Sequence, residues 1–250
     1  MASAAPPAPP FVFFDVDDTL IQWTTSWADV FAQVAGEAGV EVRAEAVEQA
    51  LTGGLDGLYQ DCLRRHSARG DARQFWLDYD GQILASLGVK HDLDRHTERL
   101  LALFQRPGAI RLYPEVPEVL AQLKAAGVRL GIVTGRPVAS PDLERLGVRH
   151  YFEPVIDALA AASSKREGRM FLLAAEAAAR EGRAAWHVGD SYHDDVCGAR
   201  AAGLRPILVD RRQQYREADC PRIGDLRALP DIILAAPPTL ESNLTLGSEA

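Results

Sequence analysis

Short unbroken apolar runs punctuate the chain at residues 11–14, 130–133, 186–188 and 206–209. Runs of this length, bounded by turn residues, predict strands buried on both faces. Between them lie helical stretches: residues 115–126, closed by Gly127; residues 167–181, rich in Ala and Glu; and residues 193–202, which stop at Gly203. Strand and helix alternate. That alternation predicts an α/β fold with a parallel sheet, right-handed crossovers and helices on both faces.

The rhythm breaks from residue 21 to 108. Helix-like segments fall at about 25–38, 43–51, 56–68, 72–87 and 92–105, with no convincing strand among them. The stretch reads as an inserted all-helical cap domain. The core is then residues 11–20 together with 109–235, while residues 1–10 and 236–250 look like loose tails. Both junctions of the cap lie beside the first strand, near the carboxyl edge where open α/β sheets place their ligands, so a lid is expected.

Composition narrows the class of function. With 47% hydrophobic and 25% charged residues over 250 positions, the chain has the balance of a folded globular protein. No apolar run approaches the roughly 20 residues that span a bilayer, and the start lacks the basic and apolar regions of a secretory signal. A formal charge of -8 opposes attraction to nucleic acid or anionic lipid. Neither membrane nor nucleic acid is an expected partner. Cys62, Cys197 and Cys220 are odd in number and include no CxxC pair, so neither a disulfide framework nor a zinc site is expected and a reducing cytoplasm is the expected location.

The first predicted strand runs into Asp15-Val16-Asp17-Asp18-Thr19-Leu20, crowding three carboxylates at the ligand-binding edge. Like charges this close repel, and hard oxygen donors of this kind suit Mg²⁺. An ordinary polar turn after a strand accounts for the same residues. Other strands end in Thr134-Gly135-Arg136 and Gly189-Asp190-Ser191, with Lys165 in a loop before a helix. A nucleophile, a hydroxyl donor, a fixed cation and a metal-binding carboxylate would then meet at one sheet edge, the set that phosphoryl transfer requires. Taken alone, Thr134 and Asp190 also read as turn or helix-capping residues. Lys165 is less readily explained that way: Lys and Arg total 27, and only Lys90, Lys124 and Lys165 are lysines. A compact ammonium that reaches between two carboxylates or a phosphate oxygen gives that choice a reason.

With these residues in view, the sequence is similar to the haloacid dehalogenase (HAD) superfamily of hydrolases, in the phosphatase branch with a helical cap after the first motif. FFDVDDTL resembles the family's first motif, GIVTGRP the second, SKREGRMF the third and HVGDSYHDDVCGARAAGL the fourth. The resemblance implies a Rossmann-like core and Mg²⁺-dependent hydrolysis of a small phosphomonoester such as a sugar phosphate or nucleotide. By resemblance, Asp15 is the nucleophile that becomes an aspartyl-phosphate, and Asp17 the acid and base. Thr134, Gly135 and Lys165 would hold the phosphoryl group. Asp15, Asp190 and the backbone carbonyl of Asp17 would bind Mg²⁺, with Asp194 or Asp195 supporting the metal's waters.

Several positions depart from the pattern. Arg166 and Gly168 stand where the third motif often has prolines, leaving a less constrained loop around Lys165. Asp18 occupies a position often held by glycine, and Asp194 one often held by asparagine. Asp17 argues against dehalogenation, since a halide needs no proton to leave, and no lysine lies between residues 21 and 89 to serve the Schiff-base route of phosphonate-cleaving relatives. A phosphomutase, or a non-catalytic phosphate-binding or regulatory protein, remains the alternative. In the cap, Trp23, Trp27, Tyr59, Arg64, Arg65, Arg69 and Arg73 include groups able to stack on a ring or bind an anion, but periodicity reads the tryptophans mainly as core and most arginines as a solvated helix face. His187 reads as packed and hydrogen-bonded.

Overall fold

A computed structural model of the chain describes residues 9–52 and 56–235. Of the expected tails at residues 1–10 and 236–250, residues 1–8 and 236–250 lie outside the described residues, while the carbonyls of Pro9 and Pro10 accept from Arg183 and from the Arg129 N–H. Six parallel strands form the sheet: β1 (Phe11–Phe14), β4 (Arg129–Val133), β5 (Val155–Ile156), β6 (Ala185–Gly189), β7 (Arg205–Val209) and β8 (Arg222–Ile223), in the order β5-β4-β1-β6-β7-β8. All four residues of β1 are fully buried, as its apolar run requires. Phe11 and Phe13 stack at 4.4 Å on one face, while Val12 and Phe14 enter the core of the other. Gly131 on β4 makes room for this arrangement, since a Cβ there would lie 2.7 Å from the Phe13 ring. Helices cover both faces, including α6 (Val116–Ala125), α7 (Ser140–Arg145) and α11 (Leu229–Ala235) on one and α8 (Ala158–Ala161) and α9 (Arg169–Arg180) on the other.

Five helices separate β1 from the rest of the sheet: α1 (Trp27–Glu37), α2 (Ala44–Thr52), α3 (Asp56–His66), α4 (Ala72–Ser86) and α5 (Leu93–Gln105). Local signals set their starts: the side chains of Ser26 and Asp71 cap α1 and α4 by accepting from the N–H groups of Asp29 and Gln74. The expectation of no strand within residues 21–108 is corrected. Residues Ile21–Trp23 form β2, antiparallel to β3 (Ile110–Leu112), with Ile21 opposite Leu112 and Trp23 opposite Ile110. Three-residue strands are too short to display alternation, so the pattern along the chain hides this ribbon, which ties the two junctions of the insert together. The helix expected at residues 193–202 is also modified: Tyr192–Cys197 is a π-helical turn leading into α10 (Gly198–Ala201). Among the described residues, no helix is long and apolar enough to cross a membrane.

Candidate active site

Strand register assembles the site. Phe14 lies opposite Ile132 of β4 and Val188 of β6, so Asp15, Thr134 and Asp190 leave the sheet at the same carboxyl edge. The Asp15 N–H donates to the Val188 carbonyl at 2.9 Å. Beyond it, Val16 is buried and its carbonyl accepts from Leu20 and Ile21, closing a tight turn that carries Asp17 and Asp18. Asp18 sits at φ 53°, a left-handed conformation that Asp tolerates and glycine favours.

Lys165 enters from one 3₁₀ turn, Lys165–Glu167. The turn is fixed without prolines: Glu167 accepts from the Ser164 N–H at 3.0 Å, and Gly168, at φ 76°, donates to the Lys165 carbonyl at 3.0 Å. The buried ammonium donates to Asp15 Oδ1 and, at 2.6 Å, to Asp195 Oδ1. Burial works against its charge, but Asp15 and Asp195 outweigh that and hold the lysine above its ordinary pKa.

Asp195 is 1% exposed, with His187 Nε2 at 2.8 Å from Oδ1 and the Ser191 N–H at 3.0 Å from Oδ2. Its pKa is held well below the usual carboxylate range because Lys165 and His187 overcome the burial that opposes ionisation. Burial in turn keeps His187 below its ordinary value despite Asp195, and its Nε2 donates because the carboxylate oxygen it faces accepts. Gly189 admits Asp195 to this position: a Cβ at Gly189 would lie 2.2 Å from the Asp195 Cγ.

Asp15, Asp190 and Asp195 each place one oxygen within 4.8 Å of the others. Burial, augmented by the neighbouring carboxylates and opposed by Lys165, lifts Asp15 well above the usual range. Burial, with Asp195 second, pushes Asp190 up to about 7. One ammonium among three carboxylates leaves the cluster short of positive charge. Hard oxygen donors gathered under that deficit fit a divalent cation.

Four predicted residues fall outside this cluster. The Asp17 carboxylate is gripped by Arg136 through both oxygens, at 2.7 and 3.1 Å, and accepts from Trp23 Nε1 at 2.8 Å. Burial opposes ionisation there, but Arg136 lowers its pKa. Asp194 pairs instead with Arg166 at 3.2 Å, on the outer side of the π-turn; the inward position belongs to its neighbour Asp195. Thr134 is buried, and its hydroxyl oxygen accepts from the Arg136 N–H at 3.3 Å, which leaves its proton free to donate. The Gly135 carbonyl accepts from Tyr59 of α3, joining the inserted helices to the end of β4.

Between the inserted helices and the sheet edge lies a cavity of about 480 Å³. Asp17, Gly135 and Arg136 line its core side. Trp23 and Trp27, expected mainly as packing, both pack and line it; Arg73 borders it while its side chain stays solvated and paired with Glu98. Arg64 and Arg65 pair with Asp61 and Asp78 instead. Arg136 and Asp80 are further cavity residues to which the sequence assigned no role.

Residues 11–203 match the family model described as "haloacid dehalogenase-like hydrolase". The chain is 30% identical over 200 residues to "Haloacid dehalogenase-like hydrolase domain-containing protein 3" of Bos taurus, covering 78% of this chain and 80% of that one. It is 32% identical over 241 residues to a phosphoserine phosphatase of Thermus thermophilus, covering 86% and 96%. Among solved structures, a 2-haloacid dehalogenase from Pseudomonas syringae pv. Tomato superposes with a TM-score of 0.62 at 27% identity, covering 91% of this chain and 98% of that one. The chain therefore belongs to the haloacid dehalogenase-like hydrolase family.

Proposed function

We propose that this chain is a Mg²⁺-dependent phosphatase that hydrolyses a small phosphomonoester through a phosphoryl group carried on Asp15. The observation that carries the reading is the buried contact of Lys165 with both Asp15 and Asp195, with Asp190 in the same cluster. Attack by a carboxylate on a dianionic phosphate ester requires that repulsion be cancelled at the point of attack. Lys165 supplies one fixed positive charge there. A bound Mg²⁺, held by Asp15, Asp190 and the Asp17 carbonyl and backed by Asp195, would supply the remaining charge neutralisation.

Asp15 forms the bond to phosphorus as the ester oxygen leaves. Thr134 donates its free hydroxyl proton to a phosphoryl oxygen. Asp17, two residues on and facing the cavity, stands where a leaving oxygen needs a proton and where a water later needs a base. Its Trp23 contact fixes its direction, and taking up a proton there requires it to part from Arg136, which holds it ionised. The phosphatase relative supports this reading. The dehalogenase neighbour does not displace it, because an acid held at the cavity has no task when a halide departs. Phosphate release from a panel of phosphorylated metabolites, measured with Mg²⁺ and with EDTA, is the test: release that needs Mg²⁺ supports the proposal, and equal rates in both sink it.

A further inference from the structure

Asp80 has no part in the chemistry just described. It lies on α4, on the cap side of the cavity, 1% exposed. Its Oδ1 has no hydrogen-bond partner among the described residues. Burial alone pushes its carboxyl well above the usual range, with no cation opposing the shift. Burial without a cation nearby favours the protonated carboxyl, which can both donate and accept. Buried polar groups are seldom left without a partner, and a carboxyl that lines a cavity while its Oδ1 is shielded from solvent needs only a turn about its side-chain bonds to find one there.

The rest of the wall gives the partner's character. Trp23, Trp27, Trp76, Phe104, Tyr59 and Tyr79 line the same space. They are braced against one another, with Trp27 and Phe104 centroids 4.8 Å apart and Tyr59 and Tyr79 5.4 Å apart, so the faces are set before a ligand arrives. A small polyol would leave these rings facing water, whereas a ring-sized apolar body would cover them. The volume, about 480 Å³, far exceeds what a compact ammonium would fill.

We propose that Asp80 anchors the leaving group, and that the cavity takes a phosphomonoester whose alcohol is a flat, largely apolar ring system bearing an amide-like or hydroxyl hydrogen-bonding group. This rests on the phosphatase reading, because the phosphate end must lie at Asp15 with the ester oxygen toward Asp17. The ring then spans from the core side to α4, and its polar group exchanges hydrogen bonds with the neutral carboxyl.

The test uses the full chain with Mg²⁺ and four esters of comparable reactivity: benzyl phosphate, its ring-carbamoyl analogue, glycerol 3-phosphate and an aminoalkyl phosphate. Acetyl phosphate, which needs neither a leaving-group site nor an acid, reports on Asp15 separately. The expected order in kcat/KM is carbamoylbenzyl above benzyl above the two aliphatic esters, by about tenfold or more at each step. In Asp80→Leu the ratio of carbamoylbenzyl to benzyl should fall to near one, and Asp80→Asn, which keeps a donor and an acceptor, should restore part of it. Wild-type preference for glycerol 3-phosphate or the aminoalkyl ester, or an unchanged ratio in Asp80→Leu, overturns the proposal. The wild-type order decides the matter even where a variant does not fold. Turnover of acetyl phosphate without turnover of either benzyl ester rejects the leaving-group site alone, while no turnover of acetyl phosphate rejects the phosphatase reading beneath it.

Discussion

Replacing Gly189 by alanine adds one methyl group, and the structure states where it goes. The new Cβ would lie 2.2 Å from Asp195 Cγ and 2.4 Å from Oδ2. Ordinary contact begins near 3.4 Å, so the carboxylate must retreat by about 1 Å. Asp195 is held at 2.6 Å by Lys165, 2.8 Å by His187 and 3.0 Å by the Ser191 N–H. A retreat of that size takes at least two of these out of hydrogen-bonding range. Hydrogen bonds to charged groups contribute about 1.5–3 kcal/mol each. With partial relaxation, the net cost is about 3 kcal/mol. For a chain of this size that lowers Tm by roughly 6–12 °C. The same displacement loosens the carboxylate cluster, so the Mg²⁺ concentration for half-maximal activity should rise by about tenfold or more. Thermal unfolding and a Mg²⁺ titration of phosphate release read the two effects. Gly36→Ala is the control: Gly36 lies in α1 and its Cβ would meet nothing within 4 Å, so stability should hold or rise slightly. A Gly189→Ala protein with unchanged Tm and unchanged Mg²⁺ response would refute the packing argument and, with it, the role given to Asp195.

Three further outcomes are expected. Lys165→Arg should lose at least about tenfold in kcat, roughly 1.4 kcal/mol in the barrier, because the wider guanidinium does not fit between Asp15 and Asp195; Lys90→Arg and Lys124→Arg should stay near full activity, and equal rates for all three would remove Lys165 from the mechanism. Asp17→Asn should slow hydrolysis of esters with poor leaving groups far more than that of p-nitrophenyl phosphate, and uniform damage across leaving groups would disprove its acid role. Asp80→Leu should raise stability by about 1–3 kcal/mol, since it removes a buried unpaired polar group. Because the folded carboxyl sits above its ordinary value, the stability it permits is fully present below the ordinary carboxylate range and is lost as pH rises through the folded pKa. The gain on substitution should therefore grow between acidic and neutral pH in melting curves, and a gain that shrinks with pH would contradict the buried, neutral assignment.

The strands of the core were legible because both faces are buried, so each reads as a bare apolar run. Once they are aligned as a parallel sheet, register alone brings Asp15, Thr134 and Asp190 to one edge. The helices of the insert were legible for the complementary reason, since each buries only a stripe. What stayed hidden depends on local three-dimensional detail. Asp194 and Asp195 are adjacent carboxylates, and only the π-turn and the missing Cβ of Gly189 decide which one faces inward. The Lys165 loop lacks prolines, and its closure by Glu167 and Gly168 appears only in the folded turn. Arg136 stood in the second motif without a task, because nothing along the chain places it beside Asp17. Asp80 carries a readable signal: it lies on the same helical stripe as Trp76, Ile83 and Leu84, where an acid is out of keeping.

The central claim, that Asp15 carries the phosphoryl group, has a direct measurement. Wild-type protein mixed with Mg²⁺ and a turned-over phosphomonoester is quenched in acid within the first turnovers, digested and analysed by mass spectrometry. The account predicts a peptide containing Asp15 heavier by one phosphoryl group, removable by hydroxylamine, and absent from both EDTA-treated protein and Asp15→Asn. Steady turnover with no such adduct at any quench time, together with undiminished activity in Asp15→Asn, would contradict it.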